Sequence, residues 1–364
     1  MRREDYGGGV TIVSDDTAAP YDRPNLSKDY LAGTAPEEWI PLRPPEFYID
    51  NGIELRLGTT AMAIDVAGRR IVLGGGEEIG FNKLLLATGA EPIRLQVPGA
   101  DLPHVRTLRS LADSRDLIAR ADKGSRAVVL GASFIGLETA GALRHREVEV
   151  HVVAPETRPM ERVLGPELGD FVRQLHESHG VVFHLGHTVA AIEAERVRLD
   201  HGATIDADFV VVGIGVRPRI RLAQRAGLVV DRGVLVDEYL ETSASGIFAA
   251  GDIARWPDAY SGERLRIEHR VVAERQGQTA ARNMLGRRER YAAVPFFWNQ
   301  HYDVSIDYVG HAAAWDEIVQ SGDANAHDLA VRFRQAGRTR AVATIFRGRE
   351  SLFAEAAMER GRSP

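Results

Sequence analysis

The stretch Arg126-Ala127-Val128-Val129-Leu130-Gly131-Ala132-Ser133-Phe134-Ile135-Gly136-Leu137-Glu138 changes its hydrophobic period at a glycine. Up to Leu130 it is a short, valine-rich apolar run, which suits a buried strand. Beyond it, Leu137, Ala140, Gly141 and Leu143 fall on one face at the helical period. A strand that breaks at glycine and turns straight into a helix makes a phosphate-binding turn. Gly131 permits the tight turn, Gly136 lets the helix pack closely on the sheet, and the free N–H groups at the helix start can hold a pyrophosphate. The cofactor-binding candidates here are Gly131, Ser133, Phe134, Ile135 and Gly136. Ser133 stands where the dinucleotide fingerprint has its middle glycine; its side chain narrows the approach, while its hydroxyl can donate to the same oxygens.

A second apolar run, Val148 to Val153, follows where a βαβ unit needs its next strand. The residue just past it is Ala154, with Glu156 and then Arg158 beyond, so neither the acid that marks NAD nor the arginine that marks NADP stands in the usual place. Glu156 lies 20 residues past Gly136 and can swing toward a ribose hydroxyl, which predicts a modest preference for NADH.

Composition bounds the rest. At 364 residues the chain is too long for one core and predicts two or three domains. With 44% apolar and 26% charged residues it reads as an ordinary globular protein, and a net charge of -6 argues against a nucleic-acid partner. No stretch approaches the ~20 apolar residues of a membrane span and none reads as a leader, so the cytoplasm is the expected location. There is no cysteine, which removes thiolate catalysis, disulfide exchange and a cysteine-held iron–sulfur cluster on this polypeptide. Any electron carrier must be a bound cofactor.

Outward from the central stretch, Val10 to Val13 reads as a buried strand ending at Ser14-Asp15-Asp16, where a nucleotide fold places an acid against a ribose. No glycine-rich loop precedes it, and the chain reads as N-terminally truncated. Pro20 to Lys28 is a proline-held loop with two cations, Arg23 and Lys28. Short strands are expected over 53–57, 62–65 and 70–73. A continuous strand over 82–90 ends in Ala87-Thr88-Gly89. Helices are expected over 108–120, 166–179 and 268–285. Val212-Gly213-Ile214-Gly215 closes the nucleotide unit, and Gly246 to Asp252 repeats the pattern of strand, glycine and acid. From Ala292 onward, alternating runs and a final helix over 350–360 predict a small α+β domain. The histidines at 176, 179, 184 and 187 straddle a helix, a strand and a turn with no carboxylate in helical register. They are read as surface or lightly buried residues, and no metal site is expected.

In this order stand Tyr21-Asp22-Arg23-Pro24 with Leu26-Ser27-Lys28, Leu86-Ala87-Thr88-Gly89, Gly131 to Glu138, Gly213-Ile214-Gly215 with Pro218, Phe248 to Asp252, and Phe297-Trp298. The arrangement resembles, over the whole chain, the FAD-dependent ferredoxin reductases that serve Rieske-type oxygenases and the apoptosis-inducing-factor-like oxidoreductases. The resemblance implies an α/β fold with two Rossmann-like nucleotide-binding domains, as in glutathione reductase, plus a C-terminal α+β domain. The implied boundaries are 1–105 with 219–290 for FAD, 106–218 for NAD(P)H, and 291–364 for the C-terminal domain. It implies hydride transfer from NAD(P)H to FAD, then electrons to a ferredoxin or Rieske-type iron–sulfur protein, and it admits a homodimer.

Carried over by position, the resemblance gives Lys28 and Glu138 the catalytic role: a pair over the flavin that orients the nicotinamide, with Glu138 in the first turn of its helix. Asp15 would bond the adenosine ribose, Arg106 would contact FAD, Asp252 would hold the ribityl chain, and Trp298 would approach the isoalloxazine. Arg23, Ala61, Ala87, Thr88, Gly89, Gly213, Ile214, Gly215 and Gly251 would complete the cofactor surfaces. The chain departs from the family pattern in lacking the FAD-cradling glycine loop before Val10, in Arg270, a cofactor-binding candidate that would bring a cation near the flavin where an aromatic residue usually stacks, and in Ala154 for the ribose acid. A quinone or monodehydroascorbate-type reductase on the same fold is the alternative enzyme, and a truncated module that binds NAD(P)H without turnover is the alternative of another class.

Overall fold

The computed structural model describes residues 1–364. Its centre is a five-stranded parallel sheet in the order Val181–Leu185, Glu149–Ala154, Arg126–Leu130, Phe209–Val212 and Val105–Arg106. Ala127, Val128 and Val129 are fully buried, as the valine-rich run requires of a strand covered on both faces. The strand order reverses beside Arg126–Leu130, which puts the turn at Gly131 at the switch point where such sheets open a crevice for ligands.

Two further pairs of parallel strands stand apart from it. Val10–Val13 lies on Ile53–Arg56, and Leu84–Leu86 on Ile247–Ala249. An antiparallel sheet of Ala61–Asp65, Arg70–Leu73 and Glu78–Gly80 is joined to them through the core of Leu73, Leu86, Phe248 and Trp256. The chain leaves for the central sheet and returns from it through Ala90–Pro92 and Val216–Pro218, which pair antiparallel. The C-terminal part is an antiparallel sheet in the order Phe296–His301, Val304–Gly310, Arg338–Ile345, Asp328–Gln335 and Glu317–Asp323, covered by the helix Gly348–Glu359. The mixed α/β class is as expected, with a C-terminal α+β part.

Several element boundaries differ from the sequence reading for local reasons. The expected strand over 82–90 shortens to Leu84–Leu86, because Gly89 turns at φ +67° and the Thr88 hydroxyl donates to the Arg219 carbonyl at 2.9 Å instead of continuing the ladder. The helix expected from 108 begins at Leu111, where Ser110 and Asp113 form a capping box. The helix expected over 166–179 spans Glu161–Ser178 with a break at Gly165. Glu317–Asp323 was not anticipated; its exposed polar pattern carries no alternation. His176 is not a surface residue: it is fully buried against His301, with His176 Nε2 3.0 Å from His301 Nδ1.

One aromatic cluster ties these parts together. Phe297 of the C-terminal sheet stacks on His269 at a centroid distance of 4.0 Å and on Tyr308 at 5.0 Å, and Phe134 meets both Phe297 and His269 edge-on. His269 is the residue that precedes the helix Arg270–Met284. Burial pushes its imidazole down to about 4, so it enters the cluster neutral.

Candidate active site

The nucleotide turn is built from glycines that touch one another. Gly131 turns at φ +107°, and a Cβ there would run into the carbonyl of Gly213; a Cβ on Gly136 would run into the carbonyl of Gly131. Gly213 in turn lies against the Gly136 backbone. The strand ends and the helix start are thus in direct backbone contact, which only glycine allows at these positions. The helix runs from Phe134 to His145, and Ser133 precedes it without its side chain capping an N–H. The N–H groups of Phe134, Ile135 and Gly136 have no partner within the helix and are available to a phosphate. The Phe134 ring is taken up by the aromatic cluster, so its backbone is what it can offer. Ile135 and Ile214 are exposed at the mouth, and Gly215 turns at φ +111° with Ile93 against it.

Glu138 is the fifth residue of this helix, so it lies in the second turn rather than the first, still facing inward. Its carboxylate collects donors from three parts of the chain. Lys28 Nζ lies 2.7 Å from Oε1, Ser27 Oγ donates to Oε2 at 2.6 Å, and Asn299 Nδ2 donates to Oε1. The side chains of Lys28 and Glu138 are 15% and 4% exposed. A carboxylate this buried is stable as an ion only with such compensation, and here it has a cation and neutral donors on both oxygens. Asn299 Oδ1 is buried beside them with no hydrogen-bond partner. Lys28 and Glu138 therefore meet across more than a hundred residues of chain. Ser27 and Asn299 were missed: Ser27 hides in the motif that names Lys28, and Asn299 follows Trp298 on the opposite face of its strand.

Further out, Asp252 pairs with Arg109, Nη2 to Oδ2 at 2.8 Å, and the Arg109 carbonyl accepts from Arg23 Nη1 at 2.7 Å. Gly251 turns at φ +77° on the face of Ala273, and its N–H donates to Gln276. Arg106 lies apart from this group: it sits in the five-stranded sheet and pairs with Asp116 at 2.8 Å. Arg109, three residues on and unremarked in the sequence, is the arginine that reaches Asp252. Asp15 pairs with Arg219 at 2.9 Å, and the Gly89 carbonyl accepts the Arg219 N–H. Arg270 lies 3.3 Å from Asp22, so it ties its helix to the proline-held loop. Trp298 is half-buried opposite Asp307, and Ala61 begins its strand opposite Leu73; neither Ala87 nor Ala61 makes a polar contact that sets it apart. Glu156 is only loosely engaged, 3.9 Å from Arg162, whereas Arg158 is held by Asp170 at 2.9 Å and Glu161 at 3.3 Å.

A parallel sheet with a glycine turn at its switch point, an acid at the end of a second pair of parallel strands and a buried lysine–glutamate pair between them define a nucleotide-dependent oxidoreductase. The chain belongs to the pyridine nucleotide-disulphide oxidoreductase family, whose model matches residues 1–277, and a reductase C-terminal domain matches 296–364. It is 36% identical to the 5,5'-dehydrodivanillate O-demethylase ferredoxin reductase subunit of a Sphingobium species, over 96% of this chain and 87% of the relative. It is 37% identical to rhodocoxin reductase of Rhodococcus erythropolis, over 90% and 78%. Among solved structures, the covalent putidaredoxin reductase–putidaredoxin complex superposes with a TM-score of 0.95 at 32% identity, over 99% of this chain and 88% of that one. The resemblance to the ferredoxin reductases is therefore correct. The disulphide of the family name has no counterpart in a chain without cysteine.

The cofactors of this family are FAD and NAD(P)H, and the residues present fit both. The turn at Gly131 is a backbone cradle that a Cβ would fill, with uncapped helix N–H groups above it. The unpartnered Asn299 Oδ1 and the Lys28 ammonium stand together at Glu138, one turn further along the same helix. No helix is long and apolar enough to cross a membrane.

Proposed function

We propose that this chain is an FAD-dependent NAD(P)H oxidoreductase that passes electrons to an iron–sulfur protein of ferredoxin or Rieske type, in the cytoplasm. The observation that carries this reading is the buried Lys28–Glu138 pair, set with Ser27 and Asn299 beside a glycine turn built for a pyrophosphate. In this reading, residues 1–105 with 219–290 hold FAD, 106–218 hold NAD(P)H, and 291–364 cover the junction, so that Asn299 reaches Glu138 from the C-terminal domain. A homodimer is compatible with it.

Bound FAD supplies the ability to accept a hydride and release electrons singly. The protein's part is positioning. Gly131, Gly136 and the N–H groups of Phe134 and Ile135 would hold the coenzyme pyrophosphate, and Glu156 would face its adenosine ribose. Asp15, Asp252 and Arg109 would hold FAD, with Thr88 and Gly89 fixing the adjoining turn. Glu138 holds Lys28 in one place, and Ser27 and Asn299 hold Glu138, so the ammonium stands fixed where the nicotinamide must align. The C-terminal sheet, packed on the helix that carries Glu138, excludes water from that junction.

The test is anaerobic: protein incubated with FAD is mixed with NADH, and then with an oxidised ferredoxin. Loss of the flavin absorbance with NADH, and its return on adding ferredoxin, is expected. A chain that takes up NADH but no FAD, or whose flavin NADH does not bleach, would sink the proposal.

A further inference from the structure

A second group of chemically capable side chains lies on the nucleotide unit, outside the site already described. His187 lies two residues before the strand Val189–Ile192, and Asp200 and His201 stand in the turn after Arg196–Leu199, the strand it pairs with. The hairpin register brings them together. His187 Nδ1 lies 3.1 Å and His201 Nδ1 3.3 Å from the same oxygen of Asp200, and the two imidazole rings are 4.0 Å apart at 31°. One ligand atom from each of the three residues falls within 4.8 Å of the others.

From this geometry we infer that His187, Asp200 and His201 form a binding site for a late first-row divalent cation of the zinc class. Nitrogen and carboxylate ligands about 2.0–2.2 Å from a tetrahedral zinc lie roughly 3.3 Å from one another, which is the spacing already present here between Asp200 and each imidazole. The donor set of two imidazoles and one carboxylate is the kind that such cations favour over magnesium or calcium, and water completes the shell at an exposed position.

The ligands are held before any ion arrives. Asp200 Oδ2 accepts from the Thr188 N–H and hydroxyl, both at 3.1 Å, which leaves Oδ1 turned to the histidines. The His187 backbone is pinned to the central sheet, since its N–H and that of Gly186 donate to the carbonyls of Ala154 and Glu156. Two more imidazoles, His151 and His184, stack beside the group with their rings 5.2 Å apart. The sequence could not show this site, because the carboxylate that completes it comes from a turn that only strand pairing brings near His187.

The test is a calorimetric titration of the chelator-treated full chain with zinc chloride, with and without FAD and NADH. One saturable zinc per chain is expected, with affinity lowered at least about tenfold by His187→Ala and again by His201→Ala. Both side chains are more than a third exposed and bond the partly exposed Asp200, so each variant should stay folded, as a thermal melt would check. Absence of stoichiometric zinc binding by the parent, or unchanged binding in both folded variants, would overturn the inference.

Discussion

The five-stranded sheet around Arg126–Leu130 and the paired strands that carry Asp15 and Asp252 hold their ligand-facing residues by different means. In the first, sheet and loop do the holding: Gly131, Gly136 and Gly213 are in backbone contact, and Ala127, Val128, Val129 and Val210 beneath them are fully buried. In the second, the strands lie in separate pairs, and side chains bridge the gaps: Arg219 to Asp15, Thr88 to the Arg219 carbonyl, Arg109 to Asp252, Arg23 to the Arg109 carbonyl. Backbone contacts of the first kind tolerate no added atom. Side-chain bridges of the second kind can be removed one at a time, and each removal should lower cofactor affinity by a step without unfolding the chain.

The largest expected effect tests what the two regions share. His176 and His301 are buried and His269 is partly buried in the aromatic cluster; all three are neutral, with desolvation holding His176 down to about 3, His269 to about 4 and His301 well below its ordinary value. Unfolded histidines take up protons near pH 6.5. The unfolded chain therefore binds more protons than the folded one below that pH, and stability is present above about 6.5 and lost as the pH falls toward 4 and then 3. Between pH 7.5 and 5.5 this amounts to roughly 4 kcal/mol for the three together. Urea titrations across that range should show it, and a flat profile would mean that the histidines do not enter the interior uncharged. His176→Gln should flatten the slope in the folded variant.

Next comes Gly131→Ala. The added Cβ meets the Gly213 carbonyl and the backbone is at φ +107°, so a loss of about 2–4 kcal/mol in stability is expected, with NADH binding reduced more than FAD binding. Thermal melts and coenzyme fluorescence would measure both. Wild-type NADH affinity in this variant would remove the loop from the coenzyme site.

Glu138→Gln should slow reduction of the FAD-loaded protein by NADH about 10- to 100-fold, because Lys28 loses the charge that fixes it. Transfer from reduced flavin to the acceptor should change much less. Stopped-flow absorbance separates the two half-reactions, and an unchanged reductive step in both Glu138→Gln and Lys28→Met would take the pair out of the mechanism. Arg109→Met should weaken FAD retention by about tenfold, as expected for a charged hydrogen bond lost at a partly buried acid, and leave NADH affinity unaltered. An equal loss of NADH affinity would mean that the two regions are not held separately.

The same contrast governs what was legible in the sequence. The five-stranded sheet announces itself through Val128, Val129 and Gly131, because local period and local turn chemistry decide it. Lys28 and Glu138 could be paired in advance only through the motifs around them, and their meeting is long-range packing. Ser27 sat inside the motif that names Lys28 with nothing to mark its own role, and Arg109 and Asn299 carried no local signal: their roles exist only where distant parts of the chain converge. Arg106 shows the reverse case, a residue singled out by position that the fold pairs with Asp116.

The smallest expected effect concerns the coenzyme. Ala154 removes the usual ribose acid, so the choice between NADH and NADPH falls to Glu156 and Arg158, which favour opposite answers. Arg158 is already engaged by Asp170 and Glu161, and to take a 2'-phosphate it must leave both. Glu156 has only a distant contact with the exposed Arg162, so its carboxylate is free to meet a ribose hydroxyl and to repel a phosphate. NADH should therefore be preferred, and only by about two- to fivefold, because these are solvent-exposed charges whose interactions are weak and screened by salt. Asp170→Asn releases one hold on Arg158 and should shift the ratio of kcat/KM values toward NADPH, while Glu156→Gln should narrow it from the other side. A parent enzyme that prefers NADPH would show that Arg158 leaves its carboxylates readily, and that the ion pairs around it do not set the preference.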